Sequence, residues 1–102
     1  MRRRADFARL RQRGRRVGTP TLTLYRGDAR TNDLTSLVGI TVTKSIGKAV
    51  VRNKLRRRLA AIVHEALAGM PPVRLLVVAR SAAGTAPFST LRAEVMSALR
   101  PA

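Results

Sequence analysis

A dense run of basic side chains lies between Lys44 and Arg58 and contains no acidic residue. Its seven positive charges are Lys44, Lys48, Arg52, Lys54, Arg56, Arg57 and Arg58. Arginine can hold two phosphate oxygens at once, and Asn53, within the run, can bond a base edge or a ribose. Like charges at this density repel one another unless a polyanion neutralises them. The run therefore predicts a nucleic-acid contact, with a merely solvated basic helix face as the alternative.

The whole chain is strongly basic. Its 102 residues include 21 Lys plus Arg against 5 Asp plus Glu, which gives a formal net charge of +16. A GC-rich genome could favour arginine over lysine, but it would not explain the shortage of acidic residues. The length predicts one domain, residues 1–102, and the charge predicts a nucleic-acid partner whose binding weakens with salt.

Acidic and metal-binding residues are too scattered to form a protein active site. The five acids share no motif: Asp6, Asp28, Asp33, Glu65 and Glu94. A metal-dependent nuclease needs clustered carboxylates, and the single histidine, His64, is expected to be structural. Cysteine is absent, which excludes disulfides and thiolate metal sites. We therefore expect no catalytic residue and no metal or other cofactor in the protein itself.

No stretch of the sequence has the length of a membrane span. The longest apolar run, residues 73–79, is broken by Arg74 and is far shorter than the roughly 20 residues that a spanning helix needs. The basic N-terminus lacks the apolar centre of a secretion signal. We expect no membrane contact and a cytoplasmic location.

Apolar periodicity predicts six elements. Helices are expected over 5–13, 48–68 and 88–100, and strands over 20–26, 37–43 and 73–80. An additional strand could lie within 27–36. The order α-β-β(-β)-α-β-α predicts an α/β (α+β) two-layer sandwich, a small mixed sheet with helices packed on it.

Two periodic faces matter for the site. The long helix carries one apolar stripe: Val51, Leu55, Leu59, Ile62, Val63, Ala66 and Leu67. In strand 20–26, Leu22 and Leu24 alternate with Tyr25. Alternation places Tyr25 on the face opposite the two leucines, where its ring could meet a ligand.

The segment VGITVTKSIGKAVVRNKLRRRL resembles the signature of the bacterial ribonuclease P protein family, RNxx(K/R)RxxR after a KxxG loop. Arg52-Asn53 and Arg56-Arg57 match the signature, while its last arginine falls on Ala60; Arg58 is basic nearby but lies on another face. The segments ADFARLRQRG, LTLY and LLVVARSAA resemble the family's opening helix, first strand and last strand. The resemblance covers nearly the whole chain, and it implies a fold like the second domain of a small-subunit ribosomal protein.

The resemblance implies a protein subunit that helps a catalytic RNA remove the 5′ leader of precursor tRNA, with Mg²⁺ bound mainly by the RNA. It implies a monomer, one protein per RNA. The residues expected on the catalytic RNA are Lys44, Lys48, Arg52, Asn53, Lys54, Arg56, Arg57 and Arg58. Phe7 and Tyr25 would line a leader-binding cleft, with Arg11 where the family often has a second aromatic residue.

Two other functions remain open from the residues alone. A ribosomal or other structural RNA-binding protein of similar fold would have the same charge, but not the signature or the ordered aromatic residues. A DNA-binding helix protein is the third possibility. No turn-helix spacing supports it, and the predicted strands argue against it.

Overall fold

The computed structural model describes residues 2–28 and 36–99, with side chains for residues 7–27 and 36–99. In this part of the chain there are three helices: α1 (Arg2–Arg13), α2 (Ala49–Leu67) and α3 (Phe88–Leu99). There are four strands: β1 (Arg15–Gly18), β2 (Leu22–Asp28), β3 (Leu37–Thr41) and β4 (Val73–Ala79). Short 3-10 turns at Lys44–Ile46 and Ser81–Gly84 precede α2 and α3.

The strands form one mixed sheet in the order β1-β2-β4-β3. β1 with β2 and β2 with β4 are antiparallel, whereas β3 and β4 are parallel. β4 is therefore an inner strand, which explains its nearly continuous apolar sequence. The small mixed sheet with helices packed on it, expected from the sequence, is confirmed.

The main core lies between one face of this sheet and the helices α2 and α3. Leu22 and Leu24 of β2 face the same side as Leu75 and Val77 of β4, and all four are at most 1% exposed. The two helices contribute the other half of the core: Leu55, Leu59, Ile62, Val63, Leu91, Val95 and Leu99. The apolar stripes that the sequence predicts therefore pack against each other.

Helix α1 lies across the opposite face of the sheet. Its Leu10 side chain, 5% exposed, stands over Gly27 of β2. A Cβ atom at Gly27 would lie 2.6 Å from a methyl carbon of Leu10, so only glycine permits this approach. Gly27 thus lets the Leu10 side chain of α1 pack directly on the backbone of β2.

The fourth strand differs from the sequence prediction. It is β1, at Arg15–Gly18, where the sequence predicts no strand; the optional additional strand near residues 27–36 falls mostly outside the described residues. Residues 27 and 28 end β2, and residues 29–35 lie outside the described part of the chain. The sequence RRVG has no apolar alternation because β1 is an edge strand whose arginines remain exposed. α1 also begins at Arg2, before the predicted start at residue 5.

Two carboxylates attach α3 to the rest of the molecule. Glu65 of α2 accepts hydrogen bonds from Arg92 of α3, the shortest at 2.6 Å, and these lower the pKa of Glu65. Glu94 accepts hydrogen bonds from the backbone N–H and the hydroxyl of Thr21, at 3.0 and 2.9 Å. Burial alone would raise the pKa of Glu94, but the hydrogen bonds from Thr19 and Thr21 outweigh burial and lower it. Both side chains therefore serve the fold.

Candidate nucleic-acid interface

The basic run begins with the 3-10 turn and continues into α2. Gly47 joins the two with φ of +152°, in the region that favours glycine. Lys48, the residue before α2, makes no side-chain capping hydrogen bond. The start of α2 therefore combines a partial positive charge from the helix dipole with the charge of neighbouring lysines.

The structure brings the eight residues predicted to bind the catalytic RNA together on this turn and the first three turns of α2. Six of their side chains are exposed: Lys44, Lys48, Asn53, Lys54, Arg56 and Arg57. Arg52 and Arg58 are half-buried at the edges of the helix. None of the eight belongs to the core, so each can reach a phosphate without unfolding.

Hydrogen bonds hold part of this surface in place. The Nε atom of Arg52 donates to the carbonyl oxygen of Gly47 at 3.2 Å, and Arg56 donates to Oδ1 of Asn53 at 3.4 Å. The described carboxylates, Glu65 and Glu94, are engaged elsewhere. The surface therefore presents partly ordered cations without a described acidic partner, which suits a phosphate backbone.

The apolar stripe of α2 is shorter than the sequence predicts. Val51, expected to be part of it, is 39% exposed, and the adjacent Val50 is 77% exposed. Helix α2 contacts both the 3-10 turn and β3, and its burial begins at Leu55. Two valines therefore lie among the cations of the predicted RNA surface.

Ala60, where the signature has its last arginine, is exposed on α2. Ala60 lines a groove of about 480 Å³ between α2 and β3, together with Val38, Ile40 and His64. Arg58 does not line this groove, and His64, expected to be structural, is exposed. The helix position that the signature gives to arginine therefore carries only a methyl group here, beside this groove.

A second groove lies between α1 and the sheet, on the opposite side of the molecule from the core. The ring of Phe7 stands over Gly39 of β3, where an added Cβ atom would lie 2.6 Å from Cζ of the ring. The groove measures about 350 Å³ and is lined by Phe7, Ala8, Arg11, Gly39, Ile40, Thr41 and Leu76. It combines an aromatic ring, an exposed guanidinium and a flat strand floor, which suits a single-stranded nucleic acid.

Tyr25 faces the same side of the sheet but does not line this groove. It is half-buried on β2 and lies directly opposite Leu76 of β4, which in turn lies opposite Gly39. The resemblance described above implies one cleft that contains Phe7, Arg11 and Tyr25. The structure places Phe7 and Arg11 together and puts the strand of Leu76 between Phe7 and Tyr25.

Arg16 of β1 is a candidate that sequence reasoning missed. It lies opposite Tyr25 in the register of β1 and β2. Its strand was not predicted, so no face could be assigned to it. The clue in the sequence was the pair of arginines just before a predicted strand with a predicted aromatic site.

Neither a metal centre nor a membrane helix is found in the part of the chain that the structure describes. Within it, no three histidine, cysteine, aspartate or glutamate residues are grouped as metal ligands. Residues 2–28 and 36–99 also contain no helix with the length and hydropathy to span a bilayer.

Fold and surfaces together define a small, basic α+β protein whose surfaces suit a nucleic acid. The family model described as "Ribonuclease P" matches residues 1–102. The "Ribonuclease P protein component" of Thermobifida fusca is 39% identical over 107 residues, covering 98% of this chain and 73% of that protein. Its counterpart in Streptomyces bikiniensis is 37% identical over 108 residues, covering 98% and 88%.

A solved structure agrees with these sequence matches. The ribonuclease P protein of Staphylococcus aureus superposes with a TM-score of 0.82 at 25% identity, over 93% of this chain and 86% of that one. The chain therefore belongs to the ribonuclease P protein family, the protein component of the ribonucleoprotein endoribonuclease of tRNA 5′ processing. The family works with ribonuclease P RNA and precursor tRNA.

Proposed function

We propose that this chain binds its two RNA partners on opposite faces of its sheet. The basic surface of α2 and the preceding turn contacts the catalytic RNA, and the groove beneath α1 holds the 5′ leader of precursor tRNA. The observation that carries this proposal is the position of the Phe7 ring over Gly39 of β3, with Arg11 in the same groove, on the face away from α2.

The proposal for α2 rests on charge and access. Its exposed cations can neutralise several phosphates, and Asn53 supplies a neutral donor and acceptor among them. Each phosphate contact releases a counterion from the RNA. The slope of log affinity against log salt concentration for the catalytic RNA should therefore be proportional to the number of contacts.

The proposal for the leader groove rests on sequence tolerance. Bases stack on aromatic side chains through their π faces, which all bases share, so Phe7 and Tyr25 could receive leaders of different sequence. Arg11 would hold a neighbouring phosphate. A ring at each side of β4 would let successive bases lie across the sheet.

Metal chemistry and stoichiometry belong to the same proposal. Glu65 and Glu94 are engaged in the fold, so we assign Mg²⁺ mainly to the phosphates of the partner RNA. Precursor cleavage by the protein without RNA would contradict this assignment. The net charge of +16 opposes self-association, which supports one monomer per RNA. We also assign the complex to the cytoplasm. A mass measurement of the reconstituted complex would test the ratio.

The test of the leader groove is a pair of dissociation constants for the reconstituted ribonucleoprotein. Tyr25→Ala should weaken binding of precursor tRNA by about 1–3 kcal/mol, because it removes one stacking surface. Binding of mature tRNA, which has no leader, should change little. Phe88→Ala is the control, since Phe88 is an exposed aromatic residue at the start of α3, away from this groove. Equal losses for precursor and mature tRNA would reject the leader assignment.

A further inference from the structure

A line of four residues crosses the sheet beneath α1. Arg16 of β1 is opposite Tyr25 of β2, Tyr25 is opposite Leu76 of β4, and Leu76 is opposite Gly39 of β3. Residues directly opposite each other in neighbouring strands project to the same face. The line therefore runs along one face from the ring of Phe7, above Gly39, to the side chain of Arg16.

Strand spacing sets the length of this line. Neighbouring strands lie about 4.8 Å apart, so Tyr25 is about 10 Å from Gly39 and Arg16 is about 14 Å from it along the sheet. Phe7, Tyr25 and Arg16 therefore follow one another in the order aromatic, aromatic, cation. An extended strand of nucleotides that crosses the sheet over Leu76 would meet all three.

Arg16 has the properties of a phosphate ligand. Its side chain is exposed, and no side-chain hydrogen bond or ion pair joins it to another residue of the described part of the chain. It lies in an edge strand, so no further strand limits its reach on the outer side. A guanidinium beside a tyrosine ring can bind the phosphate of a nucleotide whose base stacks on that ring.

Arg15 provides an internal comparison. It has the same charge and is also exposed, but successive residues of a strand project to opposite faces. It is opposite Arg26, on the face where α2 and α3 pack. Arg15 and Arg16 therefore differ mainly in the side of the sheet on which their charge lies.

We propose that Arg16 is a leader-binding residue that holds a leader phosphate next to the nucleotide stacked on Tyr25. The leader site then extends beyond the groove of Phe7 and Arg11 and ends at the free edge of β1. This inference rests on the proposed function, because it assumes that the leader lies on this face.

The experiment compares Arg16→Ala with Arg15→Ala in the reconstituted ribonucleoprotein. Arg16→Ala should weaken binding of precursor tRNA roughly three- to tenfold and leave mature tRNA nearly unchanged. The log-log salt slope for precursor tRNA should become shallower by about 0.7, the value for one single-strand phosphate. Arg16→Lys should retain most of the affinity and the slope, because a phosphate contact needs the charge. Arg15→Ala should show no loss specific to the leader.

Three results would overturn the inference. They are an equal loss for precursor and mature tRNA, an equal leader-specific loss in Arg15→Ala, and an unchanged affinity in Arg16→Ala. Tyr25→Ala in the same assay distinguishes an incorrect role for Arg16 from an incorrect leader face. If Tyr25→Ala loses leader discrimination and Arg16→Ala does not, the groove assignment stands and the role of Arg16 is wrong. If neither variant loses it, the proposed leader face is itself wrong. Melting temperatures of the free variants check that each one folds.

Discussion

A methyl group at position 39 would collide with the Phe7 ring. The Cβ atom of Gly39→Ala would lie 2.6 Å from Cζ and 2.9 Å from each Cε atom of the ring. Carbon atoms in contact prefer about 3.5–4.0 Å, so the ring must move by about 1 Å. Because Leu10 fixes α1 over Gly27, we expect the ring to swing rather than the helix to lift.

Gly39→Ala should weaken the binding of precursor tRNA and also lower the stability of the fold. Complete removal of a stacking surface costs about 1–3 kcal/mol, and a displaced ring should cost the lower value, about a fivefold increase in Kd for precursor tRNA. Overpacking costs about 1–3 kcal/mol of stability, whereas replacing glycine with alanine returns about 0.4–1 kcal/mol. A net loss near 1 kcal/mol lowers the melting temperature by about 4–8 °C.

The assay is binding of precursor and mature tRNA by the reconstituted ribonucleoprotein, with Gly18→Ala as control. A Cβ atom at Gly18, in β1 of the same sheet, would meet nothing within 4 Å, so this variant should bind and melt like the parent. In a Phe7→Ala background, Gly39→Ala should cause no additional loss of leader discrimination. An equal loss in both backgrounds would refute the argument, because the methyl group would then act without the ring.

Three more predictions follow from the basic helix, the core and the α3 attachment. Arg57→Ala should make the log-log salt slope for binding of the catalytic RNA shallower by about 0.9. Arg9→Ala, an exposed arginine on α1, should leave this slope unchanged. Equal slopes for the parent and both variants would show that the basic face of α2 is only solvated. Leu59→Ala, at a fully buried site, should lower the free energy of unfolding in urea by about 2–5 kcal/mol, and a loss below about 1 kcal/mol would contradict its core position. Glu94→Gln should cost about 1 kcal/mol near pH 7. Since the pKa of Glu94 is lowered by folding, this stabilisation is present above its ordinary value of 4.5 and disappears as the pH falls through the lowered pKa, so a difference independent of pH would contradict the assignment.

The periodic elements could be predicted because each one buries a single face. Leu55, Leu59 and Ile62 recur at helical spacing, and their burial follows the pattern. Leu22 and Leu24 alternate, and their burial places Tyr25 on the other face of β2. In such segments, local spacing determines which side chains leave water.

The features that could not be predicted from the sequence are those whose position depends on residues far away in the chain. β1 carries exposed arginines, so its pairing with β2 is set by backbone hydrogen bonds that leave no apolar pattern. The place of Phe7 above Gly39 depends on how α1 docks, and residues 7 and 39 have no local relation. Val51 fits the helical stripe of α2, yet it is exposed, because burial in this helix begins one turn later, at Leu55.

The placement of α1 and α2 on opposite faces of one sheet has an electrostatic consequence. A leader in the groove of Phe7 and a catalytic RNA on α2 would be two polyanions with the sheet and a helix layer between them. Packed layers lie about 10 Å apart, which exceeds the screening length of about 8 Å at physiological ionic strength. Salt screening and the net charge of +16 would together lower the repulsion between the two RNA backbones, and the protein would act as a cationic spacer between them.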